Sequence, residues 1–416
     1  MIGDMRKFVF DVAYAIGSQV LSRAALTLLL ILVARYFGQK EFAAFALFNF
    51  SVTAAASFVT LGVHLMASKL AATSLVHRSK ISGLFASLLM LLPTSILTGG
   101  LLLSPAGVWL TGDSQSSAAL VWIAAVSTGL LAWSNNVLAS LHRQAASFWA
   151  AVAGVLALAV LFGLGYTTNN IAKLYAGYVL SQLVPALLQI WFCWQATSAT
   201  MQELKPRKGD FAEAIFGSFW FSLMTIASSL VPLVLTKMLL LYGGGDKEVA
   251  TLAIGWQLLG LASLIPARLT LVLYPYQIKQ VSSGLSRQLL TIIATMIISL
   301  LGVASVAALF ATPILSLWHM TSEHAAIIVF TFIATAGFAA AANMLGNQLV
   351  LAQGLVLVCC ISLVVQFMIL VFGWQLMRFG LWWHLGSSMA FAAAINSLVT
   401  AISHAWFTKS QWFRAT

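Results

Sequence analysis

The sequence predicts an all-α polytopic membrane protein, with about twelve transmembrane helices in two parallel six-helix bundles and both termini cytoplasmic. Three observations carry this. First, 61% of the 416 residues are hydrophobic and only 7% are charged, against about 25% charged in soluble domains. A soluble fold of this length could not cover its surface with so few charges. Second, apolar runs of spanning length recur along the whole chain, separated by short polar punctuation. Third, Lys and Arg are unevenly shared among the loops. With the N-terminus inside, thirteen of the 21 fall on inner segments and five on outer ones. The remaining three, Arg23, Lys237 and Arg268, lie within spans. That asymmetry places both termini on the cytoplasmic side.

Taken in order, the first apolar run covers about 10–34 and follows a polar start, Met1 to Lys7. No small-residue cleavage site ends it early, so it reads as a transmembrane helix and not as a cleaved signal. The second, about 42–66, opens after Gly38 and carries Gly62 near its end. Spans at about 81–103, 117–141, 147–165 and 171–194 complete a first set of six. The longest polar stretch follows, Gln195 to Glu213, with Lys205, Pro206, Arg207 and Lys208 at its centre. It reads as a cytoplasmic linker. The expected domains are therefore 1–200, a linker at 201–213, and 214–416.

The seventh span, about 214–241, carries Ser218, Ser222, Thr225, Ser229, Pro232 and Thr236 at helical spacing, a polar stripe facing water or another helix. The eighth, about 250–275, contains Pro266 and Pro275, which suggest a kink with freed carbonyls. Spans at about 287–311, 324–350, 355–374 and 383–407 follow. The break between the tenth and eleventh is weak, resting on Asn347, Gln348, Gln353 and Gly354. Each connecting segment is short, so no extramembranous domain fits and function resides within the membrane.

The halves carry a trace of repetition. Lys40 to Leu47 aligns with Lys247 to Ile254 at an offset of 207, and the same offset carries Asn136 onto Asn343. The two asparagines read as interhelical hydrogen-bonding groups. Six spans per repeat return the chain to the same side, so the repeats are parallel. This is a transporter architecture, with its substrate site between the halves.

None of the ten acidic residues is expected in the middle of a span, and the intramembrane charges are all basic. A charge at mid-bilayer costs about 2.5–3.5 kcal/mol, so it faces a cavity or a partner. A cationic cavity suits an anionic substrate. Arg23 is the strongest candidate, near the centre of its span, with Gln19 and Thr27 on the same face. Arg268 follows, between the two prolines of the eighth span. Lys237 and Lys69 lie nearer span ends, where snorkelling competes with a cavity role. His64 is a minor cavity candidate; the other histidines read as packing or interfacial groups. No His, Cys, Asp or Glu cluster has metal spacing. No phosphate loop, dinucleotide fingerprint or nucleophile elbow is present. No cofactor, metal or catalytic residue is expected, and the protein is not read as an enzyme. The three cysteines, Cys193, Cys359 and Cys360, read as buried small hydrophobes. The net charge of +11 follows the inner loops and implies no nucleic acid.

With these residues in place, the chain resembles the bacterial polysaccharide and O-antigen flippases of the multidrug/oligosaccharidyl-lipid/polysaccharide exporter superfamily. The likeness rests on Val33 to Phe42 at the first outer hairpin, on Gly62, on Tyr274 to Gln277 at the end of the eighth span, and on the six-plus-six layout. The resemblance implies two bundles that alternate between inward- and outward-open states in the bacterial inner membrane. The implied cargo is an undecaprenyl-pyrophosphate-linked oligosaccharide, with membrane lipids and other polysaccharide-assembly membrane proteins as partners. Related peptidoglycan-precursor flippases use arginines on the first and eighth helices, where Arg23 and Arg268 stand. They usually have two further helices and an acidic residue beside the first arginine; here Ala24 follows Arg23, which favours the polysaccharide branch. Two alternatives stay open: a membrane-embedded glycan polymerase or ligase, and a drug exporter of the same fold.

Overall fold

The computed structural model describes residues 2–74, 81–111, 115–167, 171–197, 205–267, 287–351 and 355–415. Among these no strand occurs, and eleven helices are long and apolar enough to cross a membrane. The protein is a multi-pass helical membrane protein. The eighth expected span begins as a helix at Asp246–Ala262, and most of its second half, with Arg268 and Tyr274 to Gln277, lies outside the described residues.

The chain divides into two compact units. Unit 1 comprises Met1–Phe37 and Ala44–Leu233; unit 2 comprises Gly38–Ala43 and Val234–Thr416. The helices lying mainly in unit 1 are α1 (Ile2–Tyr36), α2 (Gln39–Thr60), α3 (Val63–Ser74), α4 (Ile81–Leu89), α5 (Leu91–Leu103), α6 (Pro105–Thr111), α7 (Gln115–Ser140), α8 (Gln144–Thr167) and α9 (Ile171–Thr197). α10 (Lys208–Leu241) contributes its first part to unit 1 and its last part to unit 2. Unit 2 continues with α11 (Asp246–Ala262), α12 (Arg287–Leu309), α13 (Ala311–Ser316), α14 (Ala325–Leu351), α15 (Leu355–Arg378) and α16 (Leu385–Ala415).

In unit 1, α7 packs on α5 and α9, α8 packs on α9, and α1 packs on α8. The order recurs in unit 2, where α14 packs on α12 and α16, and α15 packs on α16. Each unit also follows its third span with a short helix after a single intervening residue, Ser104 before α6 and Phe310 before α13. The repeated pairing agrees with the internal repeat read from Lys40 and Lys247. Small residues permit the close approaches, since lipid supplies no hydrophobic drive between helices. A Cβ on Gly154 of α8 would lie 2.7 Å from the Ser181 carbonyl oxygen on α9. On α16, a Cβ at Gly386 would lie 2.8 Å from the Phe332 ring of α14.

The second span is the most buried of unit 1. Phe45, Val52 and Val59 on α2 have no exposed surface. The expected span continued to residue 66, but the helix breaks at Leu61 and Gly62, which have φ of +39° and +67°. Gly62 suits this left-handed geometry because it has no Cβ. It also admits α10: a Cβ there would lie 2.6 Å from Ser222 N and 2.8 Å from Phe221 C. The freed Leu61 carbonyl accepts a short hydrogen bond from Ser222 Oγ, and Ser57 Oγ lies 2.6 Å from Ser229 Oγ. The polar stripe of α10 therefore faces another helix at Ser222 and Ser229.

Two sequence expectations need correction. Asn136 Nδ2 donates to Ala132 O of its own helix at 2.9 Å, and Asn343 is exposed on α14; neither shows the interhelical role. In a helix whose neighbours pack through small residues, an Asn side chain finds its own preceding carbonyl first. Cys193 and Cys359 are buried, but Cys360 is exposed, because adjacent helical positions point about 100° apart.

Candidate functional site

Four of the five expected cavity residues fall within the described residues. Arg23 lies on α1, His64 and Lys69 on α3, and Lys237 on α10 in the part assigned to unit 2. Arg268 lies outside the described residues. Lys69 is exposed and His64 and Lys237 are half-buried. Arg23 and His64 belong to different helices, α1 and α3.

Around Arg23 a smaller polar site is built. α1 is a continuous helix, and Gln19, Arg23 and Thr27 recur on one face at four-residue spacing. Arg23 is exposed, whereas Thr27 is buried with its hydroxyl unpartnered. The guanidinium is near enough to the Tyr178 hydroxyl of α9 to interact electrostatically. Tyr178 is 4% exposed, and its hydroxyl donates to Asn49 Oδ1 on α2 at 2.8 Å. Three helices thus contribute: α1 the cation, α9 the phenol and α2 the amide. Among the described residues no carboxylate pairs with Arg23. Thr53, one turn beyond Asn49 on α2, is exposed although nearly all of the helix around it is buried. Thr53 is therefore an accessible point on the Asn49 face of α2.

Packing holds these groups in place. Tyr178 meets the Phe45 ring at 5.8 Å and the Phe48 ring at 5.7 Å, both edge-on. Tyr175 meets Phe48 at 4.7 Å. Edge-to-face pairs of this kind fix ring orientation, and so fix where the Tyr178 hydroxyl points. A permanent cation with two orienting polar groups favours an anion or a hydroxyl-rich ligand; a carboxylate-free site gives no direct partner to a cation.

Tyr178, Asn49 and Thr53 were not singled out from the sequence. Tyr178 reads there as one more membrane aromatic, and Asn49 is embedded in a run with Phe45, Phe48 and Phe50. The available signal was an amide in the middle of a strongly apolar span.

No protein-family profile matches the chain, and no curated protein matches it either. Solved structures do. A MATE structure in complex with MaL6 is 14% identical, covers 97% of this chain and 97% of its own, and superposes with a TM-score of 0.72. The inward-facing conformation of a multidrug resistance MATE family transporter of the MOP superfamily is 18% identical, with 94% and 96% covered and a TM-score of 0.63. A MOP superfamily transporter from Pyrococcus furiosus, described by a reverse polarity of its binding pocket that suggests a different function, is 14% identical. It covers 96% of each chain at a TM-score of 0.68. The chain therefore has the MATE-like fold of that superfamily over nearly its full length.

Proposed function

We propose that this chain is a transporter of the bacterial inner membrane that flips an undecaprenyl-pyrophosphate-linked oligosaccharide, an O-antigen or related repeat unit, from the cytoplasmic to the outer leaflet. The observation that carries the reading is Arg23, an accessible cation without a carboxylate partner among the described residues, set against the Tyr178–Asn49 pair. A lipid pyrophosphate is strongly anionic and its glycan is polar, so neither crosses hydrocarbon unaided. Guanidinium groups match phosphate oxygens in fork geometry. The phenol and amide offer hydrogen-bonding groups of the kind that sugars use. Alternating access then needs only a difference in affinity between two states. Arg268, Lys237 and Lys69 are further candidate contacts along the route, and the assembly proteins that polymerise the exported unit are the natural partners. The Pyrococcus furiosus relative gives a precedent for this fold with pocket polarity reversed.

The fold comparisons favour one second reading, a drug exporter, because two of the similar structures are MATE transporters and one is named for multidrug resistance. The charge at Arg23 disfavours cationic drugs. The test is the leaflet distribution of polyprenyl-pyrophosphate oligosaccharides in cells lacking the protein. Complete single units held on the cytoplasmic face support the flippase. Normal outward delivery together with lost efflux of cationic dyes establishes the exporter. Delivery of single units without long polymer would instead point to a glycan polymerase.

A further inference from the structure

Unit 1 carries a second polar feature that the Arg23 site does not use. α3 and α7 pack together, and two contacts relate α7 to the span formed by α2 and α3. A Cβ on Gly129 of α7 would lie 3.1 Å from Val59 Cγ1 near the end of α2. Further along, Ser140 Oγ of α7 lies 2.6 Å from Ser68 Oγ of α3. Between these contacts the chain advances in the same direction along α2 and α3 as along α7, so α7 runs parallel to that span. One turn before the serine pair, His64 stands on the Ser68 face of α3, and Asn136 stands on the Ser140 face of α7. The register brings the histidine level with the asparagine.

The two side chains are complementary in what they leave unfilled. His64 is half-buried, yet its Nδ1 is fully buried and without a hydrogen-bond partner. A neutral ring with its proton on Nε2 leaves Nδ1 as an empty acceptor. Protonation turns Nδ1 into a buried donor, which requires an acceptor. Asn136 has spent its amide nitrogen on Ala132 O, so its Oδ1 remains as the acceptor. The surroundings supply little competing charge. α4, α5 and α7 carry no charged residue. On α3 the other charge is Lys69, exposed on a different face. α9 presents Cys193 to this core, and Cys193 Sγ donates to Ser134 O at 3.7 Å. α10 passes the opposite flank through Gly217 and Met66 and brings Asp210 and Glu213 in its first turns.

We propose that His64 is a proton-binding site coupling proton movement to the transport cycle, with Asn136 Oδ1 receiving the Nδ1–H of the protonated ring. The assignment rests on the chain being a transporter and extends that reading to the driving ion. Its test separates binding from coupling. In nanodiscs holding full-length, histidine-labelled protein, one imidazole resonance should vanish in His64→Gln. That resonance should shift with pH in the wild type, and Asn136→Leu should displace its midpoint. A His64 resonance that does not titrate, or that titrates identically in Asn136→Leu, overturns the site. In proteoliposomes carrying lipid-linked oligosaccharide, an imposed pH gradient should change wild-type turnover severalfold and leave His64→Gln indifferent. Equal gradient dependence in both overturns the coupling. Asn136→Leu provides the same comparison if His64→Gln does not fold. Arg23 variants should lose turnover with the His64 titration intact, so the cargo reading and the proton reading fail separately.

Discussion

Replacing Gly62 by alanine should destabilise unit 1 more than any conservative change at its neighbours. The residue sits at φ +67°, a conformation that costs an L side chain about 1–2 kcal/mol. The added Cβ would also stand 2.6 Å from Ser222 N and 2.8 Å from Phe221 C. Both are backbone atoms of α10 and cannot rotate away, so the helix must shift. Overpacking of this kind costs about 1–3 kcal/mol. The two terms give about 2–5 kcal/mol. A shift of α10 also loosens the Ser222 bond to the Leu61 carbonyl, which contributes about 1 kcal/mol. Ser222→Ala removes that bond alone and should cost only about that last amount. Thermal unfolding of the purified protein in one detergent compares the two. Gly62→Ala should unfold well below Ser222→Ala. Equal midpoints would refute the close approach of α10 to the break and with it the account of the α10 stripe.

Other predictions follow from the same contacts. Tyr178→Phe keeps the aromatic packing but leaves Asn49 Oδ1 without its donor, and should cost about 1–3 kcal/mol in thermal stability; an unchanged midpoint would mean the pair is not buried as described. Ser57→Cys with Ser229→Cys should form a disulfide under mild oxidation, because the two hydroxyl oxygens are 2.6 Å apart, and a protease site cut into the 198–204 segment would reveal the link on a gel. Asp11→Asn breaks a partly exposed pair, Asp11 Oδ2 to His142 Nδ1 at 3.5 Å, and should cost less than about 1 kcal/mol; a larger loss of stability would show that α1 depends on this contact.

The sequence made the spans legible because hydropathy and loop charge are summed over many residues. The polar stripe on α10 was equally plain, and the structure chose between its two readings through Ser222 and Ser229. Helix breaks were less legible. Gly62 was visible as a glycine, but its left-handed φ follows from the approach of α10, a contact between residues far apart in the chain. The same holds for the site. Arg23 announced itself because charge at mid-span is costly, whereas Tyr178 and Asn49 gained meaning only when α2 and α9 were brought together. An amide among phenylalanines signals a buried hydrogen bond but not its partner. Cys360 shows the converse limit, since two adjacent cysteines in one apolar run face different surroundings.

The central claim is that Arg23 carries the anionic cargo. The direct measurement is turnover of lipid-linked oligosaccharide in proteoliposomes reconstituted with wild type, Arg23→Lys and Arg23→Gln. Hydrogen bonds to a charged group contribute about 1.5–3 kcal/mol, and exposure of Arg23 screens part of that. Arg23→Gln should therefore lose about tenfold or more in turnover at unchanged thermal stability, with Arg23→Lys intermediate because it keeps the charge but not the fork. Wild-type turnover in Arg23→Gln would contradict the account.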